Sequence, residues 1–240
     1  MNDSPKLFVS IFAYVLGKET DNPETAVARE IELGERASWP AFRTLARIRA
    51  QRYPVHLKVT HSSLIAKARS LAMGNFLESG APRWISIDDD VDASADDVAK
   101  LLLAEDIDIL LAPCAVRGAA PAQLNVAVET LADVRVRETG GVRVFPVLHG
   151  GFACSAMSRF AAEKLDRDYT DLRFVESSAL GLGVFLEQVR DGAWWGEDFS
   201  CCTRARASGL RIDALCDSAV THAGLTAVVN PSLFTPRREN

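Results

Sequence analysis

The sequence predicts an α/β protein with a mostly parallel central sheet flanked by helices, and a smaller mixed or antiparallel portion in its second half. Two patterns predict this class. Apolar strand-like segments alternate with helical segments through the first half, whereas the second half carries short segments of alternating polarity separated by glycine turns. We place the change near residue 114 and expect residues 1–113 and 114–240 to form two halves of one compact domain.

The first half begins with the segment from Leu7 to Ala13, whose apolar, β-branched and aromatic residues are typical of a strand buried on both faces. Asn22 followed by Pro23 predicts the start of a helix that runs to about Glu35. The remaining elements are predicted, in order, as a helix over 41–52, a strand over 54–60, a helix over 64–78 that 61–63 cap, a strand over 83–87, a helix over 94–104 and a strand over 107–113.

The second half is predicted to contain short strands around one clear turn, formed by Thr139, Gly140 and Gly141. Gly209 follows the last predicted helix in the manner of a C-terminal cap. The elements are expected as strands over 124–128, 134–138 and 142–148, a helix over 155–165, a loop rich in Asp and Gly, a helix over 197–208, strands over 210–214 and 219–222, and a loose tail from 230.

Composition narrows the function classes. With 48% hydrophobic and 25% charged side chains, the 240 residues suffice for a compact core, and a net charge of -5 argues against a global basic field that would attract nucleic acid. The apolar stretch over 7–16 lacks the features of a secretory signal, and no run reaches the roughly 18 to 20 apolar residues of a membrane helix. We therefore expect a soluble, cytoplasmic protein. Five cysteines without a C-x-x-C pair predict reduced, packed thiols.

Four carboxylates, those of Asp88, Asp89, Asp90 and Asp92, directly follow the strand predicted over 83–87. Ligands of parallel sheets bind beyond the carboxyl ends of the strands. The four charges would repel one another unless a cation or hydrogen-bond donors offset them, and a divalent ion such as Mg²⁺ or Mn²⁺ is the simplest offset. The alternative is a solvated acidic turn in which Asp92 or Ser94 caps the next helix.

Two further groups lie late in the chain. Glu197 and Asp198 begin a predicted helix, where a carboxylate serves either as a catalytic base or as a partner of the helix dipole. His222 supplies an imidazole that is either a metal ligand or an ordinary core or loop histidine. Trp194 and Trp195 suit a stacking platform for a sugar or base, although core packing or a lid hinge explains such residues equally well.

These pieces together resemble the GT-A glycosyltransferases, particularly short bacterial and bacteriophage, family-2-like nucleotide-sugar transferases. The resemblance covers roughly residues 7 to 225 and depends on the order and spacing of the motifs more than on any one of them. The motifs are LFVSI at 7–11, SLIAKAR at 63–69, WISIDDDV at 84–91, GGF at 150–152, GEDF at 196–199 and HAG at 222–224.

The resemblance implies a role for each matching residue. Asp88 and Asp90 match the outer positions of the DxD motif, in which Asp90 binds the metal and Asp88 contacts the ribose or the metal through water. His222 matches a late histidine that completes metal coordination, and Asp198, with Glu197 beside it, matches the catalytic base of inverting members. Arg69 matches a basic position that pairs with phosphate. The other donor-binding residues that it implies are Phe12, Ala13 and Tyr14, which stand where the family has a Pro-containing segment, together with Asp89 and Gly151.

The resemblance thus implies metal-dependent transfer of a sugar from a nucleotide-sugar donor, a UDP-sugar, to a hydroxyl of a saccharide or of a modified base in phage DNA. Residues 1–113 would bind the donor, and residues 114–240 would supply the acceptor and catalytic half. The segment over 38–52 is an insertion relative to compact members, and it is expected to shape an acceptor site or a homodimer contact. Gly150 and Gly151 permit close approach to a donor sugar, or form a plain tight turn.

Two other functions stay open at this stage. A metal-dependent nucleotidyltransferase would need a glycine-rich loop with Lys or Arg after the first strand, and residues 14–21 offer one glycine and one lysine. A non-catalytic module that binds nucleotide sugars would bind the donor without hydrolysing it.

Overall fold

The computed structural model describes residues 7–13, 28, 31–36, 39–51, 54–61, 64–114, 124–130 and 134–222. Tyr14, the predicted helix start at Asn22 and Pro23, and the predicted tail lie outside these residues. The predicted first helix is described only at Ala28 and at 31–33, where the chain is helical before a 3-10 turn over Gly34–Arg36. The α-helices that follow are α1 (Pro40–Ala50), α2 (Ile65–Ser79), α3 (Ala95–Leu103), α4 (Arg159–Asp168) and α5 (Glu197–Ala207).

One eight-stranded sheet forms the centre of the molecule, in the order β2-β1-β3-β7-β4-β8-β6-β5. Its strands are β1 (Leu7–Ala13), β2 (Val55–His61), β3 (Arg83–Asp88), β4 (Ile109–Leu111), β5 (Arg137–Thr139), β6 (Val142–Pro146), β7 (Cys154–Ser158) and β8 (Ile212–Leu215).

Strand direction confirms the predicted fold class. Strands β2, β1, β3, β4, β8 and β5 run one way, and only β7 and β6 of this sheet run against them. The sheet is therefore mostly parallel near β1 and mixed where strands of the second half enter. The predicted turn at Thr139 to Gly141 joins β5 to β6, and positive φ at both glycines explains the choice of residue.

The predicted helix over 155–165 is wrong in its first part. Cys154–Ser158 forms β7, which inserts between β3 and β4 and is antiparallel to both. The helix begins only at Arg159, where the Ser158 hydroxyl accepts a hydrogen bond from the N–H of Ala161. Small and apolar residues are compatible with a helix or a strand. The position of this segment between two buried strands favours the strand.

The loop predicted before residue 197 is also wrong, because two hairpins occupy it. Arg173–Glu176 pairs with Ala179–Leu182, and Gln188–Arg190 pairs with Ala193–Trp195. Two short ladders lie outside the eight-stranded sheet: Val91–Asp92 pairs with Thr221–His222, and Val126–Ala127 pairs with His149–Gly150.

Apolar side chains fill both faces of the sheet. Helices α1 and α3 pack on one face through residues such as Leu45, Ile48 and Leu101, and α2, α4 and α5 cover the other through Phe76, Leu165 and Cys202. All five cysteines are free and buried, as predicted. No helix in the described part of the chain combines the length and apolarity that crossing a membrane requires.

Candidate active site

The side chain of Arg69 lies at the centre of a cluster of carboxylates. It projects from α2 and is only 2% exposed. Its Nη2 donates to both oxygens of Asp88, at 2.9 and 3.0 Å, and its Nη1 donates to Glu197 at 2.7 Å and also to Asp198. We call these four residues the Arg69 cluster.

Three elements bring the Arg69 cluster together. Asp88 ends β3 at the carboxyl edge of the sheet, where its N–H donates to the carbonyl of Ala153 at 2.8 Å. Glu197 and Asp198 form the first turn of α5, whose N-cap is Gly196. Their carboxylates therefore lie at the positive end of the helix dipole. This location is compatible with both interpretations of Asp198, as a partner of the helix dipole and as a catalytic base.

Charge is not balanced within the Arg69 cluster, since one guanidinium faces three carboxylates. Burial disfavours the charged form of Arg69 and so lowers its pKa. The negative charges of Asp198, Asp88 and Glu197 outweigh this effect and raise the pKa of Arg69 above its usual range. Burial raises the pKa of Asp198 to about 7; Arg69 lowers it, and the charges of Glu197 and Asp88 raise it. A carboxylate that titrates near neutral pH suits a general base.

Residues 89–93, which we call the acidic turn, continue from β3 beside this cluster. The N–H of Asp89 donates to the carbonyl of Phe12 at 3.1 Å, so the end of β1 holds the beginning of the turn. Val91, next to Asp90, pairs with His222 across the short ladder. The fold thus brings the predicted late histidine to the acidic residues from more than a hundred positions away in sequence.

Cys114, which had no functional signal in the sequence, lies beside His222. Its Sγ is 3.9 Å from Nε2 of His222. Burial raises the pKa of Cys114 to about 12, and the charges of Asp88 and Asp198 add to the effect. Without a cation beside it, the thiol is therefore protonated near neutral pH.

Arginine side chains offset charge within the group of clustered aspartates. Asp88 faces Arg69, and Asp92 faces Arg43 and Arg47. Ser94, not Asp92, caps α3, in a capping box with Asp97. The repulsion that predicted a metal ion is thus reduced by side chains of the protein itself.

The metal site needs a separate test of fit. Among the described residues, no three side chains of His, Cys, Asp or Glu gather closely enough to hold a metal ion. Sites for Mg²⁺ on nucleotides need only one or two protein carboxylates, because phosphate oxygens of the substrate supply other ligands. Both oxygens of Asp88 face Arg69, and the short ladder brings His222 beside Val91, the neighbour of Asp90.

The predicted donor-binding residues are placed in different ways. The side chain of Phe12 is 3% exposed and lies under the Arg69 guanidinium, 5.8 Å from the ring centroid. Ala13 ends β1, and Asp89 is half-buried. A Cβ on Gly151 would lie 2.4 Å from Nδ2 of Asn125, so packing against Asn125 by itself explains that glycine.

An aromatic group adjoins Glu197 and Asp198. His149 stacks on Phe199 at 5.2 Å and meets Trp195 edge-on at 4.8 Å. Burial lowers the pKa of His149, and the charges of Arg206 and Arg190 lower it further. Trp194 points outward and is 69% exposed. The pairing of His149 and Phe199 with Trp195 had no sequence signal, because it depends on the ladder that positions His149.

No family model and no curated protein matches the chain. Solved structures to which it is similar include A197 from STIV, with 12% identity and a TM-score of 0.48, over 94% of this chain and 87% of that chain. GalNAc-T7, crystallised with UDP, GalNAc and Mn²⁺, has 11% identity and a TM-score of 0.47, over 95% of this chain and 44% of that chain. A glycosyltransferase involved in the glycosylation of the major capsid of PBCV-1 has 10% identity and a TM-score of 0.35, over 70% of this chain and 66% of that chain.

Proposed function

We propose that this protein is a glycosyltransferase that moves a sugar from a nucleotide-sugar donor to an acceptor hydroxyl. The observation that supports this most is the Arg69 cluster. It joins a carboxylate from the end of a central strand, Asp88, to two carboxylates at the start of a helix, Glu197 and Asp198. Ligands of such sheets bind at this edge, so a donor held by the acidic turn would have Asp198 beside it.

In the proposed reaction, Asp198 accepts the proton of the acceptor hydroxyl as that oxygen attacks the anomeric carbon of the donor sugar. The bond from the anomeric carbon to the diphosphate oxygen breaks, and the nucleoside diphosphate leaves with the electron pair. The raised pKa of Asp198, about 7, fits proton acceptance near neutral pH. Glu197 shares Arg69 with Asp198, which fits a supporting role in holding the base in place.

Asp90 and His222 are the residues that would hold a divalent cation, Mn²⁺ or Mg²⁺, together with the donor diphosphate. Such an ion, when bound, offsets the negative charge that develops on the departing phosphates. The ladder between Val91 and His222 holds the backbone next to Asp90 beside His222, which supports this assignment.

We further propose a UDP-sugar as donor and a saccharide as acceptor. The donor assignment follows from the motif resemblance given above. For the acceptor, the indole of Trp194 is 69% exposed only three to four residues before the carboxylates of α5, and the apolar face of a sugar packs well on such a ring. The net charge of -5 favours a saccharide over a base in DNA.

The experiment is a panel of nucleotide sugars with Mn²⁺, read first as thermal shift and then as release of nucleoside diphosphate with and without saccharide acceptors. We expect one donor to stabilise the protein and acceptor to accelerate diphosphate release. Binding without release under every acceptor would instead support a non-catalytic module. Release of pyrophosphate from nucleoside triphosphates, without reaction of any nucleotide sugar, would support nucleotidyl transfer and overturn the proposal.

A further inference from the structure

Helix α1, within the segment that the sequence marked as an insertion, binds the backbone of the acidic turn at both ends. The N–H of Ala41 donates to the carbonyl of Asp89 at 3.3 Å. The hydroxyl of Thr44 accepts from the N–H of Ala93 at 2.9 Å, and both α1 residues are buried. Two backbone groups of the turn thus have partners on one helix.

Helix α1 also binds the side chain of Asp92, which lies within the acidic turn. Nε and Nη2 of Arg43 both lie 2.9 Å from Oδ2 of Asp92, and Nη1 of Arg47 donates to Oδ1 of Asp92 and to the carbonyl of Ala93. Arg43 and Arg47 are four residues apart, so they lie on one face of α1. Each carboxylate oxygen of Asp92 therefore has an arginine partner.

On its other side the acidic turn meets the end of the described chain. Thr221 pairs with Asp92, and His222 pairs with Val91. Val91 is fully buried in the same core cluster as Leu45 of α1. The turn is thus held between α1 and the strand that carries His222, and a shift of Asp92 would displace Asp90 and His222 together.

We propose that Asp92 is a positioning residue and that α1, through Arg43 and Arg47, fixes the acidic turn in the geometry that binds the donor diphosphate. This inference rests on the function proposed above. It assigns the segment containing α1 a role inside the protomer, in place of an acceptor site or a dimer contact. It also separates Asp92 from Asp90: Asp92 acts through the position of its neighbours and does not touch the donor.

The test is the affinity of the full chain for UDP, with and without Mn²⁺, measured by calorimetry. We expect Asp92→Asn to weaken Mn²⁺-dependent UDP binding by about 10-fold or more, because loss of a partner that orients metal ligands typically costs 10- to 100-fold in affinity. Arg43→Lys keeps a positive charge next to Asp92 and is expected to retain most of the affinity, whereas Arg43→Met is not.

Asp166→Asn is the matched control. Asp92 and Asp166 have the same side-chain exposure, 22%, and each pairs with arginine, but Asp166 pairs with Arg173, away from the acidic turn. We expect Asp166→Asn to bind UDP like the unaltered chain at a temperature where all variants are folded.

The outcomes separate the two claims. If the unaltered chain binds no UDP with or without the metal, the proposed transfer from a UDP-sugar fails. If it binds UDP and Asp92→Asn binds equally well, the role of Asp92 and α1 fails while the function stands. Equal weakening by Asp92→Asn and Asp166→Asn would also overturn the inference, because it would mean a general loss of stability.

Discussion

Arg69 holds Asp88 through one nitrogen, Nη2, which lies 2.9 and 3.0 Å from the two carboxylate oxygens. Because its other terminal nitrogen contacts Glu197 and Asp198, a single buried guanidinium ties α2, β3 and α5 to one point. The sequence had suggested that Arg69 pairs with donor phosphate. In the structure its terminal nitrogens are directed at carboxylates, and Nε is buried without a partner among the residues that the structure describes.

Replacement of Arg69 is therefore expected to affect stability before it affects binding. Arg69→Met removes the cation from three clustered carboxylates, and breaking a buried ion pair in this way typically costs about 3 to 5 kcal/mol. The free energy of unfolding from urea titration checks this value. Arg69→Met combined with Glu197→Gln and Asp198→Asn should recover part of the loss, since fewer carboxylates then need a counter-ion.

Arg69→Lys is the conservative control, because it keeps the charge but reaches fewer oxygens than the planar guanidinium. We expect a smaller loss than for Arg69→Met. If Arg69→Met left the free energy of unfolding unchanged and only weakened donor binding, the phosphate-pairing role that the sequence suggested would be favoured.

The difference between the predicted partner of Arg69, a phosphate, and its observed carboxylate partners shows what could be predicted from sequence. The strand before Asp88, the helix that carries Arg69 and the helix after Gly196 all follow from local patterns, so the elements that form the site were predicted. The partners of Arg69 lie 19 to 129 residues away, and no local pattern determines which charges meet across such separations. The same limit applies to Asp92 and α1.

Two misassigned regions have different physical causes. Cys154–Ser158 has no strong strand pattern, and its position between β3 and β4 imposes its conformation. The hairpin that ends at Trp195 had a usable signal, since Asp191 and Gly192 both have positive φ at its turn and Asp-Gly is a favoured hairpin dipeptide. Ser177 and Ser178, at the other turn, also have positive φ but belong to residue types that seldom indicate it.

Asp198→Asn is expected to abolish most sugar transfer while leaving donor binding intact. Loss of a general base typically lowers the rate by about 10²- to 10⁴-fold. The measurement is kcat for diphosphate release at saturating donor and acceptor, with donor affinity determined in parallel. Glu197→Gln, which changes the neighbouring carboxylate in the same helical turn, should retain more activity. Equal losses in both variants would contradict the assignment of the base to Asp198.

The pH dependence of the reaction should report Asp198. Because the base must be ionised, kcat/KM should rise with pH and reach half its plateau near the pKa of about 7 to which burial raises this group. Stability should change in the opposite sense. The folded state holds the proton more tightly than an unperturbed aspartate of pKa 3.8, so this stabilisation is complete below pH 3.8 and is lost as the pH rises through about 7.

Asp198→Asn is the control for both trends, since it cannot titrate. In that variant the residual kcat/KM should lose the rise near neutral pH, and the free energy of unfolding should fall less between pH 4 and 7. A rise with the same midpoint in Asp198→Asn would assign the titration to another group.

Metal-dependent donor binding should depend on Asp90 and His222 together. In the unaltered chain we expect UDP to raise Tm more strongly with Mn²⁺ than with EDTA, because the diphosphate supplies further oxygen ligands to the ion. Asp90→Asn and His222→Ala should each remove the Mn²⁺-dependent part of the shift. Asp96→Asn, an exposed carboxylate in α3, serves as the control and should preserve it. An unchanged shift in Asp90→Asn would place the ion elsewhere.

Gly74 lies where α2 packs closely against the hairpin that follows α4, and this contact leaves no room for a side chain. A Cβ built at this position would lie 1.9 Å from the carbonyl oxygen of Leu180 and 2.6 Å from its carbon, and backbone atoms of a paired strand cannot move away cheaply. Gly74→Ala should therefore lower the free energy of unfolding by about 1 to 3 kcal/mol, the usual range for overpacking, although alanine is the better helix former. Glu78→Ala, on the exposed side of the same helix, should change it little. Since Arg69 lies five residues earlier on α2, a loss of donor affinity in Gly74→Ala that exceeds the loss of stability would show that the hairpin positions the Arg69 cluster through this helix.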